Sequence, residues 1–378
     1  MELTKCKLGE LITQRREKND GADLPICGVS KDGLIPPKQK DADTSIYNVF
    51  YRDDFIFNPA RMELNSIAIN DMYDRAICSS LYEVFYVHRT DLLLPHYLKL
   101  IIRQKWFTRY CEFLGQGSAR EYCRFGNISE IEIEFPPIEE QQKIVDYNTT
   151  IENRIALKQK INDNLANTEQ LILHQAISKN QTIPLSLKEI AEFIDGDRGK
   201  NYPTFDEFSA SGFCLFLNAS NVTSSGFNFD SCMFVTEEKD KIMRNGHLLL
   251  NDIVFTSRGT LGNVALYDKN IKYKNVRINS GMLIIRPKGI NLSPYFIYTL
   301  LKSNYMKSAI EQFRSGSAQP QLPIKDLQNI TFDIPESQNV LDDLEHRFFK
   351  IEETISINKR EIGDLNELAS ILLTRLSR

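Results

Sequence analysis

This 378-residue sequence lacks any apolar run that approaches the ~18 residues needed by a membrane-spanning helix. Its N-terminal stretch, MELTKCKLGEL, also lacks the charged and then apolar layout of a secretory signal peptide. The seven cysteines are scattered without a CxxC pair, which is typical of reduced and mostly buried thiols. Together these absences predict a cytoplasmic protein without a membrane segment.

Recognisable catalytic motifs are missing too. The five histidines show no metal-ligand spacing among themselves or with cysteine, which argues against a metal site. The segment GDRGKN at residues 196–201 fails as a phosphate-binding P-loop, because Lys200 is followed by Asn and the glycine spacing is wrong. The sequence Asn58-Pro59-Ala60 lacks the second proline and the aromatic residue of the NPPY motif of amino-methyltransferases. We therefore expect no catalytic residue, metal or cofactor in this chain.

The sequence has no excess of positive charge, because 46 Lys and Arg face 50 Asp and Glu, giving a net charge of −4. On its face this argues against nucleic-acid binding. A nearly neutral average can nevertheless hide a basic face, so the total charge does not decide the question.

Residues 138–180 contain neither Gly nor Pro, and their apolar residues recur with heptad-like spacing. The C-terminal stretch 336–378 carries a similar pattern. A single helix of this kind is marginal in water because nothing covers its apolar stripe. We therefore predict that the two helices pair as an antiparallel coiled coil. The predicted seam comprises Ile144, Ile151, Ile155, Leu165, Ile172, Leu344, Ile351, Ile355, Leu365 and Leu372.

An internal repeat supports this pairing. Residues 94–136 align with residues 293–335 without a gap, and both copies contain Gly-Ser-Ala and end in Pro. The long helices align as well, through pairs such as Ile151 with Ile351 and Glu152 with Glu352. These matches predict a duplicated unit made of a globular domain and a long helix.

The predicted architecture is a mixed α/β (α+β) fold with a pseudo-two-fold internal repeat. Its segments are a first globular domain at 1–136, a central helix at 137–180, a second domain at 181–335 and a C-terminal helix at 336–378. Short helices are expected at Lys7–Gln14 and Leu185–Phe193, and longer ones at Pro95–Phe113 and Pro294–Phe313, with strands between them.

Several loops combine cationic, hydroxyl and amide side chains. The loop Asp195–Pro203 is either a plain surface turn or a loop that contacts phosphates and bases. In Thr256–Asn263, Arg258 could donate two hydrogen bonds to guanine or hold a phosphate, although the segment also suits a tight turn. The segments Gln116–Tyr122 and Ser315–Gln321 suit hydrogen bonding to DNA, helix capping by glycine, or both.

The whole sequence resembles the specificity (S) subunit of type I restriction-modification systems. The segments that carry the resemblance are KLGELI, LSLKEIAEFIDGDRGKNYP, LLLNDIVFTSRGTLGNVALYD, GSAQPQLPIKDLQNITFDIP and the two long helical stretches. The chain departs from the family pattern at residues 120–126 (REYCRFG), where its second half has QPQLPIK.

The resemblance implies two target-recognition domains, each reading one half of a bipartite, asymmetric site in double-stranded DNA. The long helices would act as a spacer and as the dock for two modification (methyltransferase) subunits, with restriction subunits joining them. Adenine methylation and ATP-driven cleavage, with S-adenosylmethionine, ATP and Mg, would belong to those partner chains. This chain would be non-catalytic.

With that resemblance, the loops supply candidate DNA-binding residues in both halves. In the first half they are Ser30, Lys31, Arg61, Gln116, Ser118 and Arg120. In the second half they are Arg198, Lys200, Asn201, Tyr202, Ser257, Arg258, Thr260, Arg277, Ser315, Ser317, Gln319 and Gln321.

The rival hypothesis is a duplicated coiled-coil scaffold that binds proteins and does not read DNA, which the acidic net charge favours slightly. The DNA hypothesis makes a geometric prediction instead. Helices of about forty residues span roughly 60 Å at 1.5 Å per residue. Domains at the two ends of such a pair could reach half-sites about one helical turn of DNA apart, on the order of 10 base pairs.

Overall fold

The computed structural model describes residues 3–31, 33–37, 43–115, 123–289, 292–313 and 322–375. By its internal contacts the chain divides into two compact units. The first unit comprises residues 1–157 together with 362–378, and the second comprises residues 158–361.

The strands of the first unit are short, and those between Asn48 and Val87 are the most buried. They are β1 (Thr4–Lys7), β2 (Ile12–Arg15), β3 (Ile26–Ser30), β4 (Gly33–Ile35), β5 (Asn48–Tyr51), β6 (Phe55–Phe57), β7 (Ile67–Ile69), β8 (Arg75–Cys78), β9 (Glu83–Val87) and β10 (Glu132–Phe135). Its helices before the long one are α1 (Pro95–Ile102), α2 (Lys105–Gly115) and α3 (Phe125–Ser129), with 3-10 turns at Leu8–Glu10, Thr44–Ile46 and Pro59–Leu64.

The long helix α4 (Ile138–Lys179) begins after Pro136-Pro137 and carries two acidic residues in its first turn, where they complement the helix dipole. The strands that follow it belong to the second unit. They are β11 (Thr182–Ser186), β12 (Ala191–Asp195), β13 (Cys214–Leu217), β14 (Val222–Thr223), β15 (Gly226–Phe227), β16 (Phe234–Val235), β17 (Ile253–Thr256), β18 (Val264–Leu266), β19 (Val276–Ile278), β20 (Met282–Pro287) and β21 (Thr331–Pro335).

The helices of the second half complete the set. They are α5 (Leu187–Ile190), α6 (Glu237–Ile242), α7 (Pro294–Lys302), α8 (Asn304–Phe313), α9 (Ile324–Gln328) and the long α10 (Gln338–Arg375), with 3-10 turns at Phe205–Glu207 and Ala219–Asn221.

The sheet topology repeats between the units. In the first unit β1 pairs with β10, the order β2-β9-β6-β7 forms an antiparallel sheet, and β3 runs parallel to β8. In the second unit β11 pairs with β21, the order β12-β20-β17-β18 forms the matching sheet, and β13 runs parallel to β19. The predicted mixed fold with an internal repeat is confirmed.

Two predicted short helices are wrong. Lys7–Gln14 forms the end of β1, a single 3-10 turn and most of β2, while Leu185–Phe193 contains only one helical turn between β11 and β12. In both places the chain hydrogen-bonds to strands far away in sequence, β10 and β9 in the first unit and β21 and β20 in the second. Such long-range pairing overrides the local helical period.

Each predicted single helix in the repeat is a pair of helices. In the second unit α7 ends at Lys302, and the Ser303 hydroxyl caps the next helix by accepting a hydrogen bond from Met306 N at 3.1 Å. In the first unit the same break falls at Arg103 and Gln104, between α1 and α2.

In the second unit, contacts between α4 and α10 fix their direction. Lys158 pairs with Glu361 at 2.8 Å, and Asn358 Nδ2 donates to Asn162 Oδ1 at 2.8 Å. Partners therefore rise in number along one helix as they fall along the other, so the two helices run antiparallel as predicted.

The buried face of the long helices is more polar than the predicted seam. Among the seam residues Ile151, Leu344 and Ile355 are buried, whereas the other seven are half-buried. The fully or nearly fully buried polar residues of the two helices include Gln141, Asn148, Glu169, Glu352 and Asn358.

Candidate nucleic-acid interface

Four loops of the second unit meet at one place, which we call the loop cluster. It comprises residues 195–202, 242–246, 257–262 and 279–281. The Asp197 carboxylate accepts a hydrogen bond from the backbone N of Arg244 at 2.8 Å, which joins the first loop to the second. Ser257 N donates to the carbonyl of Gly281 at 3.0 Å, which joins the third loop to the fourth. The cluster is thus built by side-chain and backbone hydrogen bonds between distant segments.

The first loop can approach the fourth only because residue 196 is glycine. A Cβ at Gly196 would lie 2.2 Å from the carbonyl oxygen of Asn279, well inside contact distance. The neighbouring Gly246 has a φ of +91°, a conformation that other residues rarely adopt. Gly196 of the motif DGDRGK therefore allows the close packing of two loops.

The cationic residues of the first loop face solvent. Arg198 has a half-exposed side chain, pairs with Asp195 at 2.8 Å and donates to the carbonyl of Ser280 at 3.4 Å. Lys200 is exposed. An exposed ion pair of this kind contributes little to stability, so Arg198 can exchange its partner at low cost.

Asn201 and Tyr202 hold the loop in place. Asn201 Nδ2 donates to the carbonyl of Ile242 at 3.1 Å, and the Tyr202 ring packs edge-on against Phe216 at 5.5 Å. Their side chains are already engaged within the unit, which suits positioning of Arg198 and Lys200.

The third loop presents Arg258 and Thr260, both of which are exposed. Its turn is closed by the Thr256 hydroxyl, which donates to the carbonyl of Thr260 and accepts from Asn263 N at 2.9 Å. Ser257 is buried, and its hydroxyl donates to the carbonyl of Gly281 at 3.1 Å. The predicted tight turn and an exposed arginine therefore occur together.

Arg277 requires a correction, because its surroundings do not suit a DNA contact. The residue is buried, and its guanidinium forms an ion pair with Asp240 and donates to the carbonyls of Asn245 and Met243 at 2.7 and 3.1 Å. Moving it to DNA would leave buried polar groups unsatisfied. Arg277 instead ties β19 to α6 and to the loop at 242–246, so its contribution to the cluster is structural.

Sequence reasoning missed Arg244, which is exposed in the second loop of the cluster. It lies in an irregular segment after α6, and only the following Asn245-Gly246 pair hints at a turn. Its backbone bond to Asp197 brings it beside Arg198, a proximity that no local pattern encodes.

The candidates of the first unit are more dispersed. The Ser30 hydroxyl donates to the carbonyl of Gly33 at 3.2 Å, and Lys31 is exposed at the end of β3. Arg61 is exposed in the 3-10 turn Pro59–Leu64, where its φ of −137° interrupts the helical geometry. Burial raises the pKa of Tyr82, while the charge of Arg61 and a hydrogen bond with the backbone of Val29 oppose that rise.

Equivalent hydrogen bonds anchor the segment that follows the Gly-Ser-Ala sequence in each half. Cys123 N donates to the carbonyl of Pro59 at 3.2 Å, and Leu322 N donates to the carbonyl of Ser257 at 3.2 Å. In both units this anchor lies on the loop that bears the exposed arginine, Arg61 or Arg258. The remaining candidates lie outside the described residues: Gln116, Ser118, Arg120, Ser315, Ser317, Gln319 and Gln321.

Within the described ranges, no three His, Cys, Asp or Glu side chains come together as a metal-binding group. Among the helices described there, none has the length and apolar character required to cross a membrane. The second unit has a surface of exposed cations on loops that are held in place by hydrogen bonds. Such a surface is suited to binding an anionic polymer.

The comparison with protein families decides the assignment. The type I restriction modification DNA specificity domain matches residues 6–167 and again residues 184–367. The chain belongs to this family. The duplicated match coincides with the repeat seen in the sheets, and the chain is therefore a DNA-recognition specificity subunit.

Individual relatives agree with the family. The type I restriction enzyme MjaIX specificity subunit of Methanocaldococcus jannaschii is 22% identical over 303 residues, covering 76% of this chain and 69% of that protein. The crystal structure of the type I restriction-modification S subunit from M. genitalium matches with a TM-score of 0.64 at 17% identity, covering 99% of this chain and 96% of that one. The latter likeness supports the fold. The scaffold hypothesis finds no support in these comparisons.

Proposed function

We propose that each unit of this specificity subunit reads one half of a bipartite, asymmetric DNA site, and that partner chains act on the DNA so selected. The observation that carries the proposal is the loop cluster. It exposes Arg198, Lys200, Arg244 and Arg258 in a chain whose net charge is −4. A local basic surface on an acidic protein is the expected footprint of a dedicated DNA contact.

Within the cluster the cations differ in how they suit DNA. Arg258 stands on a closed turn whose neighbours are held by buried hydrogen bonds, so its guanidinium can be aimed at a base edge. A well-placed arginine can donate two hydrogen bonds to guanine and discriminate against other bases. Lys200 is a point charge on a flexible side chain and suits a phosphate. Arg61 takes the corresponding place in the first unit.

The long helices would dock the modification subunits. Exposed apolar side chains occur on α4 at Tyr147, Leu157 and Leu171, which are 63%, 59% and 62% exposed. On α10 they occur at Ile357, Leu368 and Ile371. Burial of such side chains stabilises protein association. Two modification subunits would bind S-adenosylmethionine and methylate adenine, and restriction subunits would use ATP and Mg.

The same helices would set the spacing of the recognised site. Adding seven residues to α4 near Asn162, with seven matching residues in α10 near Asn358, should lengthen the spacer between the half-sites. A map of methylated adenines before and after the insertion measures that spacing. An unchanged spacer in a complex that still methylates DNA would contradict the proposed role.

DNA binding itself is tested on the complete complex with its modification subunits. We expect its affinity for random-sequence duplex DNA to fall steeply with salt, because bound phosphates release counterions. Lys200→Ala should reduce the slope of log affinity against log salt by about 1 on every sequence. Lys143→Ala, an exposed lysine on α4, is the matched control and should leave the slope unchanged. A salt-independent affinity in the wild-type complex would contradict direct DNA binding.

A further inference from the structure

The ring of Phe205 is more exposed than any other large apolar side chain in the described ranges, at 90%. Single apolar residues on a surface are ordinary, so exposure alone means little. What distinguishes Phe205 is that the backbone carrying it is fixed on both sides while the ring is left in solvent.

Several contacts fix this segment. Thr204 donates to the Glu207 carboxylate twice, from its backbone N at 2.8 Å and from its hydroxyl at 3.1 Å. The same carboxylate binds Lys239 of α6 at 2.7 and 2.8 Å. On the other side Phe208 packs against Phe216 with ring centres 5.3 Å apart. These contacts hold the turn Phe205–Glu207 in place, and we call this turn the ledge.

The ledge lies along the same helix that borders the loop cluster. Lys239 of α6 contacts Glu207, and the backbone carbonyl of Ile242, the last residue of α6, accepts the hydrogen bond from Asn201. Phe205 falls between these two attachment points in the sequence. Ile242 is itself 53% exposed, so α6 also carries an exposed apolar side chain.

The charges around the ledge are of both signs. Lys239 neutralises Glu207, but Asp206 is exposed beside the ring and repels phosphate. Lys200 and Arg244 supply exposed positive charge on the adjoining loops. An apolar tip on a segment that also carries the exposed Lys200 has the composition of the wedges that enter a groove and unstack a base step.

We propose that Phe205 is a wedge that inserts at a base step within the half-site read by the second unit, unstacking it and adding to its selection. The inference rests on the proposed DNA-reading function. The binding partner of the Phe205 ring is duplex DNA. Flexible pyrimidine–purine steps are the ones that such a residue opens most easily.

The test uses the complex with its modification subunits and a duplex carrying the site identified by methylation mapping. 2-Aminopurine placed at successive positions reports unstacking through increased fluorescence. We expect an increase at one step in the wild-type complex, lost in Phe205→Ala and largely kept in Phe205→Leu. Affinity for the duplex should fall about tenfold in Phe205→Ala, within the range for removing one base-stacking aromatic residue.

The control is Phe213→Ala, which removes another exposed phenylalanine of the same unit and should change neither signal. Unchanged fluorescence and affinity in Phe205→Ala would overturn the wedge, and so would weaker assembly with modification subunits at unchanged DNA affinity. If Arg258→Ala lowers DNA affinity in the same series, the proposed function stands and only the wedge fails. A wild-type complex that does not bind the duplex would overturn both.

Discussion

Both units neutralise a buried aspartate with an arginine, but the arginine comes from a different strand in each unit. Each buries an aspartate just before an equivalent strand, Asp54 before β6 and Asp252 before β17, and each aspartate accepts two hydrogen bonds from one arginine. The distances are 2.6 and 3.1 Å from Arg15 and 2.8 and 2.7 Å from Arg286. Arg15 comes from β2, however, whereas Arg286 comes from β20.

The register of the sheets explains the difference. Ile253 pairs with Ile285, which places Arg286 directly opposite Asp252. In the first unit Phe55 pairs with Phe85, so the position opposite Asp54 belongs to Tyr86. Arg15 reaches the carboxylate from the next strand, with its guanidinium 4.6 Å from the centre of the Tyr86 ring. A buried carboxylate is thus present at the same place in both halves of the repeat, but it is neutralised from β2 in the first unit and from β20 in the second.

The starts of helices α1 and α7 show the same divergence. In the second unit Ser293 caps α7 by accepting a hydrogen bond from Phe296 N at 3.1 Å. Leu94 holds the matching place before α1 and has no side-chain acceptor to offer. There the buried Gln141 of α4 accepts from Leu94 N at 2.9 Å and donates to two carbonyls. Its counterpart in α10 is the apolar Leu341.

The largest expected effect concerns the ion pairs between helices. Lys302 joins Glu352 at 2.6 Å and Glu169 at 3.1 Å in a buried setting, whereas the corresponding Arg103–Glu152 pair is roughly 40% exposed. Lys302→Met leaves the Glu352 carboxylate and, at a pH above about 7, the Glu169 carboxylate without their cation. At pH 8 it should destabilise the second unit by about 3–5 kcal/mol. Arg103→Met should cost the first unit less than about 1 kcal/mol. Hydrogen exchange of β20 and urea titration of Trp106 fluorescence report on the second and first units respectively.

Equal losses in the two variants would contradict the contrast between a buried and an exposed pair. Trp106 is the sole tryptophan of the chain, so its fluorescence follows the first unit without interference.

The second prediction concerns the buried aspartates. Asp252→Ala removes a carboxylate that is 1% exposed and leaves Leu249 N and Arg286 without their acceptor, so the second unit should lose about 3 kcal/mol. Asp54→Ala should cost the first unit a similar amount. Asp74→Ala breaks the exposed pair with Arg52 and is the matched control, with an expected cost of less than about 1 kcal/mol. A cost for Asp252→Ala as small as that of the control would show that the bidentate pair is dispensable.

Some of these features were accessible from the sequence. Heptad spacing and the gapless alignment predicted the long antiparallel helices and the repeat, because both patterns are long and periodic. The loops of Arg198 and Arg258 stood out by composition. The short strands β1 and β11 were missed because their partners, β10 and β21, are far away in sequence. In the sequence, Gln141 and Glu169 resemble exposed polar residues of a helix. They are buried because the segment at residues 92–94 packs against Gln141 and α7 packs against Glu169, and no local pattern predicts these contacts.

The third prediction concerns pH. Burial, followed by the charge of Glu352, raises the pKa of Glu169 to about 7. A raised folded-state pKa stabilises the fold fully below the unfolded value of about 4.5, and this contribution is lost as pH rises through about 7. The second unit should therefore lose up to about 3 kcal/mol from this group between pH 5 and pH 8. Glu169→Gln should flatten that dependence in hydrogen exchange, and an unchanged pH profile would contradict a buried, titrating Glu169.

The smallest predicted effect comes from giving the start of α1 the serine cap found at the start of α7. Gln141→Leu leaves Leu94 N and two carbonyls without their partner and should cost the first unit about 1–2 kcal/mol, measured by Trp106 fluorescence in urea. Adding Leu94→Ser supplies the cap found in the second unit and should recover part of that loss. If the double variant is no more stable than Gln141→Leu alone, a serine cap cannot replace the hydrogen bonds of Gln141 at the start of α1.

The central claim is that the two units read separate halves of one DNA site. Its most direct test is a genome-wide map of methylated adenines in cells that carry the complete system with either the wild-type chain or Arg258→Ala. We expect relaxed sequence preference at a position in one half-site, with the other half-site and the spacer unchanged. Relaxation in both half-sites, or the same uniform loss of methylation at every site, would contradict it.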